Sequence, residues 1–190
     1  MRNVVVIAEA RADAEMATQL AERVLVEKVN WIYPELLENL VTWRGLQPET
    51  EFTKLTDISK VVATERMPKF PFGGRKGSPL KADGLLASLA LLFIRLYRSD
   101  EIDAVIFMRD LDNQPERKEG LNQARNLHNQ NGESVMVVIG TANTKREAWI
   151  LNGFRPLDKN ETRTLKKLTQ ELNFNPCLEA HRLRATSFEE

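Results

Sequence analysis

Five carboxylates in this chain stand where chemistry is usually placed. Glu9 follows the apolar run Asn3 to Ala8, and Asp13 comes one helical turn later. Asp110 and Asp112 follow a second apolar run, Ile102 to Met108, and Glu147 follows a third, Val135 to Ile139, by eight residues. If the first two runs are neighbouring strands, Glu9, Asp13, Asp110 and Asp112 converge on one point, and Glu147 can join the same sheet edge. Asp110 and Asp112 are two apart, so they share a face in a continuing strand or pinch one ion in a tight turn. Carboxylates this close repel and raise one another's pKa unless a cation neutralises them. A hard divalent ion such as Mg²⁺ takes oxygen ligands and keeps several waters. Such an ion polarises a phosphoryl oxygen and acidifies bound water, the means needed to cut or transfer a phosphodiester. Each acid also has a plain structural reading, since Asp and Glu fall at strand ends and helix starts anyway. Asp110 or Asp112 can cap a helix at Pro115, Asp13 can be a first-turn charge, and Glu147 can complete a capping box with Thr144.

A basic segment complements the acids. From Arg66 to Lys81 the chain carries Arg66, Lys69, Arg75, Lys76 and Lys81 with no acid among them, interleaved with Phe70 and Phe72. Lys69, Arg75 and Lys76 are candidates for tracking a phosphate backbone while the Phe rings stack on unpaired bases. The alternative is a solvated loop anchored by its Phe residues. Lys plus Arg number 27 and Asp plus Glu 27, which excludes a coat of bulk positive charge. It permits two opposed local fields that cancel in the sum.

Other chemistries are excluded by inventory. Cys177 is the single cysteine and His128 and His181 the two histidines, so a disulfide, a cysteine-rich zinc site and a three-histidine site within the chain are ruled out. His128 is expected on the polar side of a helix. The glycine-rich loops that cradle nucleotides are missing. Leu85 to Ile94, the longest apolar stretch, is half of the roughly 20 residues a membrane span needs. A reducing cytoplasm and no membrane partner are expected.

The positioning elements follow from periodicity. Asn3 to Ala8 is a β-branched run without polar alternation, the pattern of a parallel strand covered on both faces. Ala12 to Val29 has helical spacing, and Trp31 to Val41 continues apolar with Pro34 in a helix first turn. Residues 49–65 fit a short strand followed by a helix. Met67 to Ser78 is a loop, and Asp83 is placed to cap the apolar helix after it. A strand ends in Arg109-Asp110-Leu111-Asp112, a helix runs from Pro115 to about Asn129, and a third strand covers Val135 to Ile139. A short helix closed by Gly153 is expected to bury the stripe Trp149, Ile150 and Phe154. A last helix, signalled by Asp158 to Glu161, carries Leu165, Leu168 and Leu172. Strands alternating with helices predict an α/β domain with a mostly parallel sheet. A single domain over 1–190 is expected, with its core in about 1–155 and a helical extension over about 156–190.

Val4-Val-Val-Ile-Ala-Glu9-x-x-x-Asp13, followed by Val105-Ile-Phe-Met-Arg-Asp110-Leu-Asp112, resembles the topoisomerase–primase (TOPRIM) domain, whose signature is a Glu after strand one and a DxD after a later strand. Arg146-Glu147-Ala148-Trp149-Ile150-Leu151 is similar to the E-A-W-L-L motif of a compact bacterial TOPRIM-like family. The resemblance runs from strand one to about Gly153. It differs at Ala10, where the family most often has Gly. It implies a metal held by Glu9, Asp110 and Asp112, with Glu9 binding metal or moving a proton, and Mg²⁺- or Mn²⁺-dependent nuclease or related phosphodiester chemistry on nucleic acid. It also admits a non-catalytic module partnered with an ATPase in a bacterial defence system.

Overall fold

A computed structural model of the chain describes residues 1–64, 80–132, 134–143 and 146–183. The candidate nucleic-acid contacts Lys69, Arg75 and Lys76, and the capping residue Thr144, lie outside the described residues. Contacts divide the chain into two compact units, the first comprising Met1–Arg109 with Gln114–Thr141, the second Asp110–Asn113 with Ala142–Glu190.

The first unit opens with β1 (Arg2–Ala8) and α1 (Arg11–Lys28). From Val4 to Ala8 no residue exceeds 9% exposure, because the strand is covered on both faces. Val5 and Ile7 enter the main core cluster, so by alternation Val4 and Val6 face the other way, towards α1. Of the helix expected over Trp31 to Val41, Pro34 does open a first turn, but the helical part ends at Leu40. A 3-10 turn at Pro34–Leu36 and the four-residue α2 (Leu37–Leu40) give way to a strand, β2 (Val41–Arg44), which pairs parallel with β1 from Arg2↔Val41 to Val5↔Arg44. Val, Thr and Trp favour a pleated surface, and pairing with β1 decides between conformations that the local sequence leaves open. The short strand and helix expected in 49–65 are present as β3 (Thr53–Lys54) and α3 (Ile58–Thr64).

The apolar stretch forms α4 (Gly84–Tyr97), with Ala87, Ala90, Leu91, Phe93 and Ile94 buried. It leads to β4 (Ala104–Asp110), α5 (Pro115–Gln130) and β5 (Met136–Ala142). The sheet order is β2-β1-β4-β5, with β3 also paired to β1. β1 and β4 are parallel neighbours, from Val4↔Ala104 to Ile7↔Phe107. β5 runs the same way as β4: Met136 N–H donates to Asp103 O at one end, and Leu111 N–H donates to Ala142 O at the other. The expected α/β architecture with a mostly parallel sheet is therefore the observed one. From β1 the chain moves outward to β2 and then crosses to β4, so the order reverses between β1 and β4. In open α/β sheets such a reversal opens a crevice at the strands' carboxyl ends.

The core cluster lies between the Val5, Ile7, Val105 and Phe107 face of the sheet and helices α3, α4 and α5. Each large side chain buried there contributes about 1.5–3 kcal/mol. His128 is not on a polar face. It is 6% exposed, and its Nε2 lies 3.0 Å from Val135 O, because a buried imidazole needs a partner and the strand entry supplies one. No helix among the described residues is long and apolar enough to cross a membrane.

The second unit contains α6 (Glu147–Gly153) and α7 (Lys159–Leu172). Ala148 is the buried residue of α6, whereas Ile150 and Phe154 are 57% and 39% exposed; the expected apolar stripe is thus not core. Cys177 is buried, and burial pushes its thiol pKa up despite the opposing charge of Arg155. At the start of α7, Asp158 caps as expected, its Oδ1 accepting from Glu161 N–H at 2.8 Å, while Glu161 Oε2 accepts from Leu157 N–H at 2.7 Å. No α7 residue is fully buried, and the Asp158 cap secures its first turn. Asp158→Ala should cost about 1 kcal/mol locally. Amide hydrogen exchange at Glu161 should then be about fivefold faster; an unchanged rate counts against the cap.

Candidate functional site

Strand β1 delivers Glu9 and Ala10 to the start of α1. Ala10 is extended (φ −138°, ψ 165°), a conformation open to any residue, so this turn makes no demand for glycine. Its carbonyl accepts from the Asp13 and Ala14 N–H groups, and its own N–H donates to Asp13 Oδ2 at 2.9 Å. Asp13 is 5% exposed. It is thus the acidic half of a capping arrangement, with an alanine where a Ser or Thr would complete the other half. Asp13 also stands in the first turn of α1, the position expected for it.

Glu9 has a partner that the sequence reading did not assign. Ile7 pairs with Phe107, so two residues further on Glu9 comes level with Arg109. Both continue the parity of the residues facing α3, α4 and α5. Arg109 is 9% exposed. Its NH1 forms an ion pair with Glu9 Oε2, and its Nε donates to Asp83 Oδ2 at 2.7 Å. Burial opposes the guanidinium's charge, but hydrogen bonds and charge from Asp83 and Glu9 outweigh it and hold the pKa above the ordinary arginine value.

Asp83 occupies the residue before α4 as expected, yet its side chain caps no helix N–H. A buried cation requires a counter-ion more than the helix end requires a cap. The signal for this arrangement was present in the sequence: Arg109 falls on the inward parity of Val105 and Phe107, and a charge on a buried face implies an ion pair. Lys81, one of the five bases, is also engaged. Its Nζ pairs with Glu119, and its N–H donates to Gln123 Oε1 at 2.9 Å.

In the second unit, Asp110 is the last residue of β4 and half-buried. Leu111 N–H is bonded to Ala142 O at 2.9 Å. Asp112 and Asn113 are both left-handed, at φ 46° and 60°, so Asp110 and Asp112 belong to a tight turn and not to a continuing strand. Neither acid caps α5. Gln114 takes that position without a side-chain bond, and Pro115 sits in the first turn as expected. Two left-handed non-glycine residues in succession are uncommon, although Asp and Asn tolerate the conformation best. Glu147 opens α6 as its first residue and pairs with Arg146 at 2.8 Å, so it does not stand at the third position that a capping box requires.

The structure therefore brings Glu9 to Arg109 and Asp83, bonds Asp13 to the Ala10 N–H at the head of α1, and places Asp110, Asp112 and Glu147 in the second unit. Among the described residues, no group of three or more His, Cys, Asp or Glu side chains is arranged to hold a metal ion. The donor chemistry of Asp110 and Asp112, two carboxylates on one tight turn, suits a hard divalent cation that keeps most of its waters.

The fold is an α/β one whose sheet reverses order between β1, which Glu9 follows, and β4, which Asp110 ends. No protein-family model, curated protein or solved structure matches the chain.

Proposed function

We propose that this chain is a Mg²⁺- or Mn²⁺-dependent nuclease, or a related phosphodiester-transfer domain, of TOPRIM-like type. One observation carries the reading. β1 and β4 are parallel neighbours at the point where the sheet order reverses; Glu9 follows one strand and Asp110 ends the other. In this reading Asp110 and Asp112 hold the ion, which when bound stabilises charge on a phosphoryl oxygen and acidifies water. Glu9 shares that ion or moves a proton at its carboxylate. Asp13 keeps the strand-to-helix junction in shape, and Glu147 contributes to the acidic edge. Basic residues Lys69, Arg75 and Lys76 supply phosphate contacts in this scheme.

A second reading is favoured by a specific observation: Glu9 is already charge-paired by Arg109. A non-catalytic module of the same fold, working with a partner such as an ATPase, needs nothing more from that carboxylate. Binding of a labelled single-stranded oligonucleotide, measured with and without Mg²⁺ at fixed ionic strength, separates the two. Tighter binding with the ion is expected, because neutralising the acidic edge removes its repulsion of phosphate. Unchanged affinity, with no heat on titrating Mg²⁺ or Mn²⁺ at millimolar concentration, favours the non-catalytic module.

A further inference from the structure

Arg109 has two carboxylate partners, and they place different demands on it. Fastening the start of α4 to the sheet requires the bond to Asp83, whose side chain is 16% exposed. It does not require Glu9, whose side chain is 43% exposed and would be hydrated without a partner. The guanidinium nevertheless uses two of its nitrogens on the two acids, Nε on Asp83 and NH1 on Glu9. Because the guanidinium is planar, fixing it at Nε fixes the direction in which NH1 points. Asp83 thereby sets the place at which Glu9 Oε2 is held. The triad has two negative charges against one positive, so the pairing leaves Glu9 in a net acidic setting with its second oxygen still able to act.

We infer that Arg109 is a positioning residue for Glu9, with Asp83 anchoring the guanidinium from the side of α4. The inference rests on the metal-dependent reading above. It assigns Arg109 an effect on turnover beyond its effect on folding. Lysine in its place would supply charge but no fork, and so could serve one of the two acids at a time.

The test uses the full chain and labelled single-stranded and duplex oligonucleotides of DNA and RNA, with Mg²⁺ or Mn²⁺. Arg109→Gln should lower kcat about 10- to 100-fold, the range expected when a reacting group is displaced by about 1 Å, with KM within about threefold of the wild type. Arg109→Lys should recover part of the loss. Arg109→Gln leaves Asp83 without its counter-ion and carries a folding risk, so the paired variant Arg109→Gln with Asp83→Asn removes that buried charge as well. It should show the same loss of kcat with circular dichroism like the wild type. A folded Arg109→Gln or paired variant with wild-type kcat, or an effect confined to KM, overturns the inference. Failure of the underlying reading is seen without any Arg109 variant: the wild type cleaves none of the probes with either ion, or Asp110→Ala cleaves as fast as the wild type.

Discussion

Asp110→Ala is expected to abolish divalent-ion-dependent cleavage while the protein stays folded. Asp110 ends β4, and the next residue is held independently by the Leu111 N–H bond to Ala142 O. The substitution therefore removes carboxylate oxygens and leaves the backbone course of the turn supported on its far side. Lewis-acid stabilisation is worth several kcal/mol, and about 4 kcal/mol corresponds to a rate loss on the order of 1,000-fold. Single-turnover cleavage of a labelled oligonucleotide measures the loss. Circular dichroism and thermal melting check the fold. A folded Asp110→Ala protein that cleaves like the wild type removes Asp110 from the metal site and with it the mechanism.

The second large effect is on stability. α4 and α5 approach so closely that each has a glycine at the contact. A Cβ at Gly120 would stand 1.9 Å from Lys81 O and 2.8 Å from Gly84 N, and a Cβ at Gly84 would stand 2.6 Å from Gly120 O. All three atoms are backbone, so no side chain can swing aside. Lys81 O is moreover the acceptor for Gly84 N–H at 2.8 Å, and its displacement would disturb the first turn of α4. Gly120→Ala should cost about 3 kcal/mol, the upper part of the range for overpacking. Gly153→Ala is the control. Its Cβ would meet nothing within 4 Å, and a helical Gly-to-Ala change in open space is neutral or stabilising by up to about 1 kcal/mol. Urea unfolding of both variants decides. A Gly120→Ala loss below about 1 kcal/mol contradicts the close approach.

How much of this was legible in the sequence varied with the range of the interaction involved. β1 announced itself, because five consecutive apolar residues after Asn3 have a single economical use in an α/β chain. Pro115 and Asp158 marked their helices by chemistry within one turn. β2 was hidden: Val41-Thr-Trp-Arg44 is four residues long and follows an apolar stretch with a helical start signal. Only its partner, 39 positions earlier in the register Arg2↔Val41, makes it a strand. Asp83 and His128 were misjudged for a related reason. Asp83 is expected to cap its own helix and His128 to lie on a polar helix face, whereas Asp83 accepts from Arg109 of β4 and His128 bonds Val135 O at the entry to β5. The acids at the strand ends were visible as a pattern, whereas the arginine that pairs with Glu9 had no assigned role, because only the pairing of β1 with β4 puts the two side by side.

The parallel sheet has a consequence for how the chain is made. Val4 finds Ala104 at a separation of 100 residues, and the nearer neighbours of β1 begin at Val41 and Thr53. At roughly 5–20 residues per second, translation takes about 5–20 s to deliver β4 after β1 has emerged. Throughout that interval Val4 to Ala8 lacks the strand that covers one of its edges. Pairings this distant in sequence also make folding slow relative to helical proteins of similar size. A strand buried from Val4 to Ala8 in the finished fold is thus left open at one edge at the ribosome, where chaperone contact has much to protect.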